Sequence, residues 1–393
     1  MNICLITTGF PPDNGGGIGT YIYNLSKGLI KFGHTVHVIS PSTSAVYVKD
    51  NIDGIVIHRL PKKTLPKIEK LFPGLRWSFQ IYRLINQLHR QQIIDVIEFP
   101  NWEASGVLSQ LMLNIPTVVR VHTPFFETLG LDSDHITFGD KVTCKLEEWS
   151  CNKATKLVSS TRSHAKTISD EYVIPIEKFT IIPLGIIDKN PENITERPGG
   201  KEIKLLYVSR LENRKGTLAL LEALPLLNKQ CIDFHINIIG SDRPHAPGGI
   251  KFQKYFEQNY ADLSDKVSFP GFVNDEELER FYRQSDLFVV PSVYESFGLI
   301  YVEAMMYGLP SIATVGGGIP EVITQQVDGY LTEINSPKEL VTFILEFIND
   351  RNKLKVMGHA ARLSFVNRFE YLIMSKNTVA VYEETRRHGN HAR

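Results

Sequence analysis

DKNPENITERPGGK, residues 188–201, decides how the chain is divided. One apolar side chain, Ile194, stands among Pro, Gly and charged residues, so the stretch has nothing to contribute to a core and reads as a linker. Upstream of it, β-rich runs occur at 3–7, 36–39, 55–58, 94–98, 118–122, 157–160 and 180–183, with helical periodicity over 18–32 and 76–91. Downstream the pattern restarts, with strands at 203–209, 234–239, 267–269, 287–290 and 311–314 and helices at 217–227, 275–284, 297–307 and 337–347. Apolar strands alternating with amphipathic helices imply parallel sheets covered on both faces. The expected fold is therefore α/β, with two doubly wound, Rossmann-like domains, residues 1–187 and 202–370, joined by 188–201. In open sheets of this kind ligands bind beyond the carboxyl ends of the strands, which here would face a cleft between the domains.

A length of 393 residues fits two such domains, and a hydrophobic content of 42% excludes a disordered chain. Forty-three basic residues balance 43 acidic ones, which argues against a nucleic-acid partner. No apolar run approaches the length of a membrane span. The opening MNICLITTGF lacks a basic n-region and reads as a first strand rather than a signal peptide. Cys4, Cys144, Cys151 and Cys231 are too scattered for a disulfide framework, and no Cys/His cluster has zinc spacing. The expectation is a cytoplasmic protein with reduced thiols and no bound metal or cofactor.

Several loops carry residues suited to chemistry. The first strand runs into GFPPDNGGGIGTY (9–21), a glycine cluster before a helix whose amides, around Gly16 and Gly17, would approach an anion. A plain flexible turn would have the same composition. The G-x-G-x-x-G spacing fails and VHVIS ends without an acid, so a nicotinamide dinucleotide is disfavoured. SRLENRKG (209–216) places Arg210, Arg214 and Lys215 after a strand, as a phosphate site or a solvated loop would.

PSVYESFGLIYVEA (291–304) is the strongest constellation. A helix starting near Ser296 would offer the amides of Phe297, Gly298 and Leu299 to an anion. Glu295 in the loop and Glu303 in the helix would hold the two ends of a polyol, and Glu303, set among Val302, Ala304 and Met305, needs a partner. His122 ends the strand at 118–121, a position that a structural histidine also occupies. GGGIPEVI (316–323) offers a further amide cradle at Gly317 and Gly318. Residues 59–90 hold eight Lys and Arg against one acid, Glu69, with apolar residues interleaved. That suits contact with anionic lipid or a phosphate-bearing acceptor, although a solvated basic face is the more common source of such a run.

Assembled, these residues resemble the retaining nucleotide-sugar glycosyltransferases of family 4, which have the two-domain GT-B fold. The resemblance covers nearly the whole chain and rests on 15–19, 209–216, GFV at 271–273, the E-x7-E pair Glu295/Glu303 and GGGIPEVI. It implies that Arg210 and Lys215 bind the donor diphosphate, helped by the backbone at 297–299. It also implies that Glu303 binds the ribose, Glu295 the donor sugar, and Phe272–Val273 the base. His122 would reach the sugar, and Gly16 and Gly17 would lie near the β-phosphate or the acceptor. Residues 371–393 would cross back as a helix onto the first domain.

The implied reaction moves a hexosyl or N-acetylhexosaminyl unit from a nucleotide-diphosphate sugar to an acceptor hydroxyl. UDP-sugars are favoured over GDP-mannose, and the acceptor is a saccharide, a lipid-linked molecule or a small molecule. With cations taking a metal's place at the leaving group, and no acidic metal-binding pair such as D-x-D expected in the chain, metal independence is expected. The setting would be the cytoplasm, with peripheral contact at the inner face of the membrane through 59–90. Related alternatives are a nucleotide-sugar epimerase, a phosphorylase-type enzyme, and a silent sugar-nucleotide binder.

Overall fold

The computed structural model describes residues 1–13, 16–61, 74–91, 93–129, 136–192, 201–230 and 233–391. The chain forms two compact units: Met1–Ile187 together with Tyr371–Arg393, and Asp188–Glu370. Both are α/β with parallel sheets.

The first unit contains β1 (Asn2–Ile6), β2 (Thr35–Ser42), β3 (Val48–Ile52), β4 (Ile55–Pro61), β5 (Val96–Pro100), β6 (Thr117–Val121), β7 (Lys156–Ser159) and β8 (Phe179–Ile181). They pair in the order β3-β4-β2-β1-β5-β6-β7-β8, and every pairing is parallel except β3 with β4. The sequence VKDNI of β3 is almost wholly exposed, so it lacks the apolar signal of a buried strand. It forms because Asp53 and Gly54 both take positive φ, the conformation a two-residue hairpin turn requires. Being short and charged, it closes the sheet edge. The helix Leu75–Arg90 buries Trp77, Ile81, Ile85 and Leu88, a stripe at helical spacing that packs over Ile39 and Leu60.

The helix Tyr371–His391 belongs to this unit, and a buried polar cluster ties it there. Tyr382 donates to Glu98 at 2.7 Å and Tyr21 donates to the other oxygen at 2.6 Å. Arg120, with no exposed surface, sits 4.4 Å from the Tyr21 ring and donates to the Ile182 carbonyl at 3.2 Å and Thr378 at 3.4 Å. A buried carboxylate and guanidinium are tolerated because each is hydrogen-bonded on several sides.

The second unit contains β9 (Ile203–Val208), β10 (Phe234–Ile239), β11 (Val267–Gly271), β12 (Leu287–Val289), β13 (Ser311–Thr314) and β14 (Gly329–Thr332), all parallel, in the order β11-β10-β9-β12-β13-β14. The order reverses between β9 and β12, which opens a crevice at their carboxyl ends. The polar composition of 188–201 conceals an anchor in this unit. Arg362 donates to Asp188 at 2.9 Å, to the Asn190 carbonyl at 2.7 Å and to the Met306 carbonyl at 3.0 Å. Asn190 is buried, so 188–190 are a fixed part of the unit rather than linker; 193–200 lie outside the described residues.

Candidate functional site

The loops after β9, β12 and β13 lock together at the reversal point. Gly216, at φ +70, packs so closely on the β12 loop that a Cβ there would lie 1.9 Å from the Pro291 carbonyl oxygen. The Val293 amide donates to the Arg214 carbonyl at 2.8 Å, and the Arg214 guanidinium donates to the Tyr294 carbonyl at 3.2 Å. This backbone stitching sets two side chains facing. Lys215 Nζ lies 2.5 Å from Glu295 Oε1, which also accepts from Ser292 at 3.1 Å. Arg214 stands 3.9 Å from the other Glu295 oxygen. Burial pushes the Lys215 ammonium below its ordinary pKa, and Glu295 opposes that shift. Arg210, more than half exposed, lies 3.0 Å from Glu212.

Three cations and two carboxylates, Glu212 and Glu295, therefore gather on two adjacent loops, a set able to receive an anion and a hydroxyl-bearing group together. Gly298, at φ 92, starts the helix Leu299–Met306, whose first amides have no acceptor within the helix. The Phe297 side chain is buried edge-on against Phe369 at 5.9 Å, so only its backbone can face a ligand. Glu303, on the same helix, accepts from Tyr282 at 3.0 Å; burial raises its pKa and that hydrogen bond opposes the rise. Phe272 is 79% exposed, beyond the end of β11.

The glycine run after β13 differs from the expected cradle. The Gly318 amide donates to the Glu295 carbonyl at 2.7 Å and the Gly316 amide to Thr314 at 3.1 Å. A Cβ on Gly317 would meet the Glu295 carbonyl at 2.4 Å. Two of the three amides are engaged within the protein, so Gly317 and Gly318 brace the Glu295 loop from behind.

In the first unit, Gly16, at φ +59, and Gly17 open the helix Gly16–Lys31, and both are exposed. The His122 amide donates to Asn101 at 2.7 Å and its ring lies 5.5 Å from that of Tyr21. Burial, with Arg120 and His164 adding to it, pushes the imidazole down to about 3, so it is neutral at pH 7. Of the basic stretch 59–90, Arg59 is buried, bonded to the carbonyls of Phe10 and Pro11 and 3.3 Å from Asp13, and Trp77 is core. Neither belongs to an exposed patch, because both are buried. Arg76, Arg83 and Arg90 lie on the helix Leu75–Arg90, and 62–73 lie outside the described residues.

Residue-type reasoning passed over Ser292, Arg214 as a direct neighbour of Glu295, and Glu147. The buried Glu147 carboxyl accepts from the amides of Glu103 and Phe125, both at 2.9 Å, and so pins the loops after β5 and β6. Its only sequence signal is an acid two residues before the Trp149-Ser150-Cys151 stretch of an otherwise ordinary helix. Reading for metals also passed over Asp132-Ser133-Asp134, an acidic pair outside the described residues; among those described, no His, Cys, Asp and Glu group could hold a metal ion.

Comparison with known proteins follows the same division. Residues 15–189 match the model of Glycosyltransferase Family 4 and residues 189–364 that of Glycosyl transferases group 1. The chain is 26% identical to an uncharacterised glycosyltransferase of Methanocaldococcus jannaschii, covering 98% of each. It resembles the structure of a sucrose-phosphate synthase of Thermosynechococcus elongatus, with a TM-score of 0.76 at 21% identity over 97% of this chain and 98% of that one. It also resembles Anabaena HepE, solved with UDP and glucose, with a TM-score of 0.71 at 17% identity over 98% and 99%.

Proposed function

Because the chain is a family 4-like glycosyltransferase with the GT-B fold, we propose that it moves a hexosyl or N-acetylhexosaminyl unit from a UDP-sugar to an acceptor hydroxyl, with retention and without a metal ion. The observation that carries this reading is the cation set at the β9/β12 reversal point, where Arg214 and Lys215 face Glu295 and Arg210 faces Glu212. As the anomeric C–O bond breaks, positive charge develops on the sugar ring and negative charge on the departing diphosphate. Arg210 and Lys215, with the amides opening Leu299–Met306, stabilise that diphosphate more than the intact donor. Glu295 holds hydroxyls of the transferred sugar, Glu303 holds the ribose, and the backbone at 272–273 holds the base. The leaving phosphate takes the acceptor's proton on the face it departs from, so configuration is retained without a protein base. The UDP bound in the HepE structure supports the choice of base.

We place the reaction in the cytoplasm. A panel of UDP-, GDP- and ADP-sugars tests the reading, scored by thermal shift and by release of nucleoside diphosphate. Stabilisation by a UDP-sugar, with turnover lowered about 100-fold or more in Arg210→Ala, is expected. Turnover of Arg210→Ala equal to that of the unaltered enzyme would refute it.

A further inference from the structure

We propose that the first unit carries a second ligand site, a cationic pocket for a phosphate-bearing group, between the β3-β4-β2 edge of its sheet and the helix Leu75–Arg90. The pocket has a volume of about 1030 Å³, and its lining brings together Lys49 of β3, Arg83 and Arg90 of the helix, and His37 and His58 of β2 and β4. Among the described lining residues there is no Asp or Glu. The chain as a whole is electrically balanced, so this excess is local.

Pairing elsewhere in the unit sharpens the contrast. Lys27 pairs with Asp53, Arg59 with Asp13 and Asp50, Lys145 with Glu148, Lys156 with Glu384 and Lys166 with Asp170. Among the described residues, Lys49, Arg83 and Arg90 enter no ion pair. Asp50 is the neighbour of Lys49 in sequence but lies 3.6 Å from Arg59 instead, since alternate residues of a strand face opposite ways. Three cations with no ion-pair partner among the described residues stand around one cavity, and an anion between them offsets their mutual repulsion.

The shape and floor narrow the ligand. Arg83 and Arg90 are seven residues apart and so share a helix face, and a guanidinium fork matches a phosphate's oxygens in pairs. The floor is a hydrogen-bonded row: His37 Nδ1 lies 3.0 Å from His58 Nε2, and the Tyr47 hydroxyl lies 2.9 Å from His58 Nδ1. Burial, then His37 and Lys49, push His58 down to about 4, so the floor is neutral and polar while the charge sits on the walls. Asn86, Gln87 and Gln91 add neutral polar side chains to the lining for ligand hydroxyls, while the Gln80 amide already donates to the Pro61 carbonyl at 3.1 Å. Val46, 64% exposed, and Tyr47, 46% exposed, form an apolar lip. Phosphate, hydroxyls and an apolar neighbour describe either a soluble sugar phosphate or a phospholipid headgroup. The pocket is not the His122 loop, because β1 and β5 intervene between β2 and β6, three strand spacings or roughly 14 Å.

Calorimetric titration with inorganic pyrophosphate tests the site on the full chain. Binding is expected to persist in Arg210→Ala, and to weaken about tenfold or more in Arg83→Ala/Arg90→Ala and in Lys49→Ala but not in Lys145→Ala. Co-sedimentation with phosphatidylglycerol and phosphatidylcholine vesicles then separates the sources. Selective binding to phosphatidylglycerol that the same variants lose assigns a headgroup; pyrophosphate binding without vesicle binding assigns a soluble phosphate. Affinity indifferent to Arg83, Arg90 and Lys49, or no binding of either probe to the unaltered chain, overturns the proposal. Loss of pyrophosphate binding in Arg210→Ala alone would assign the anion to the second unit and leave the donor reading intact.

Discussion

Lys215 Nζ meets Glu295 Oε1 at 2.5 Å, joining the loop after β9 to the loop after β12 across 80 residues of sequence. The two side chains are 13% and 11% exposed, so each is the other's main compensation for lost solvent. The pair keeps a buried ammonium charged where a diphosphate is proposed to leave, and it fixes the spacing of two loops that the sheet alone would only bring near.

Removing one member should therefore do more harm than removing both. Lys215→Ala leaves Glu295 with the Ser292 hydroxyl and an Arg214 3.9 Å away, a loss of about 3 kcal/mol in urea unfolding. Lys215→Ala/Glu295→Gln should recover part of it, with a coupling of about 1–3 kcal/mol. Effects that simply add would contradict the pairing.

Two glycines with similar backbones make a controlled comparison. Gly216 and Gly248 have φ of +70 and +80, but nothing lies within 4 Å of a Cβ built on Gly248. Gly248→Ala should lose only the left-handed strain, about 1–2 kcal/mol. Gly216→Ala adds a collision with the Pro291 carbonyl and should lose more than twice as much, or fail to fold. Equal midpoints in thermal unfolding would rule out the tight loop contact.

Glu147 predicts a pH dependence of stability. Burial raises its carboxyl to about 8, against the hydrogen bonds from the Phe125 and Glu103 amides and Tyr172. A raised carboxyl binds its proton more tightly in the folded state, so its contribution is fully present below the unfolded value near 4.5 and is lost as pH rises towards 8. The midpoint difference between the unaltered chain and Glu147→Gln should therefore shift against the unaltered chain between those limits and level off above. A difference that stays constant with pH would contradict the buried, protonated carboxyl.

How far the sequence could be read depended on which signals were local. The apolar runs that became β1, β6, β9 and β10 are buried along most of their length, and strand assignments made from them found the right segments. β3 was not legible as a strand because its side chains face water and only its Asp53-Gly54 turn marks it. At the site, the loops carrying Arg210, Lys215 and Glu295 were visible as charge after a strand. That Lys215 faces Glu295 was not, because strand order decides it. Gly316–Gly318 looked like an open cradle, since sequence does not show that two of these amides are already bonded to Glu295 and Thr314. Arg59 looked like one cation among many for the same reason: its carbonyl partners lie far away in the sequence.

The central claim is that side-chain cations, with helix-end amides, carry the charge of the leaving diphosphate. The direct measurement is the initial rate of nucleoside diphosphate release with the responding UDP-sugar, in EDTA and in added Mg²⁺ or Mn²⁺, for the unaltered enzyme and Lys215→Ala. The account predicts equal rates of the unaltered enzyme in EDTA and in metal, and a rate lower by about 100-fold or more in Lys215→Ala that metal does not restore. Turnover abolished by EDTA and recovered with Mn²⁺ would contradict it and direct attention to Asp132 and Asp134.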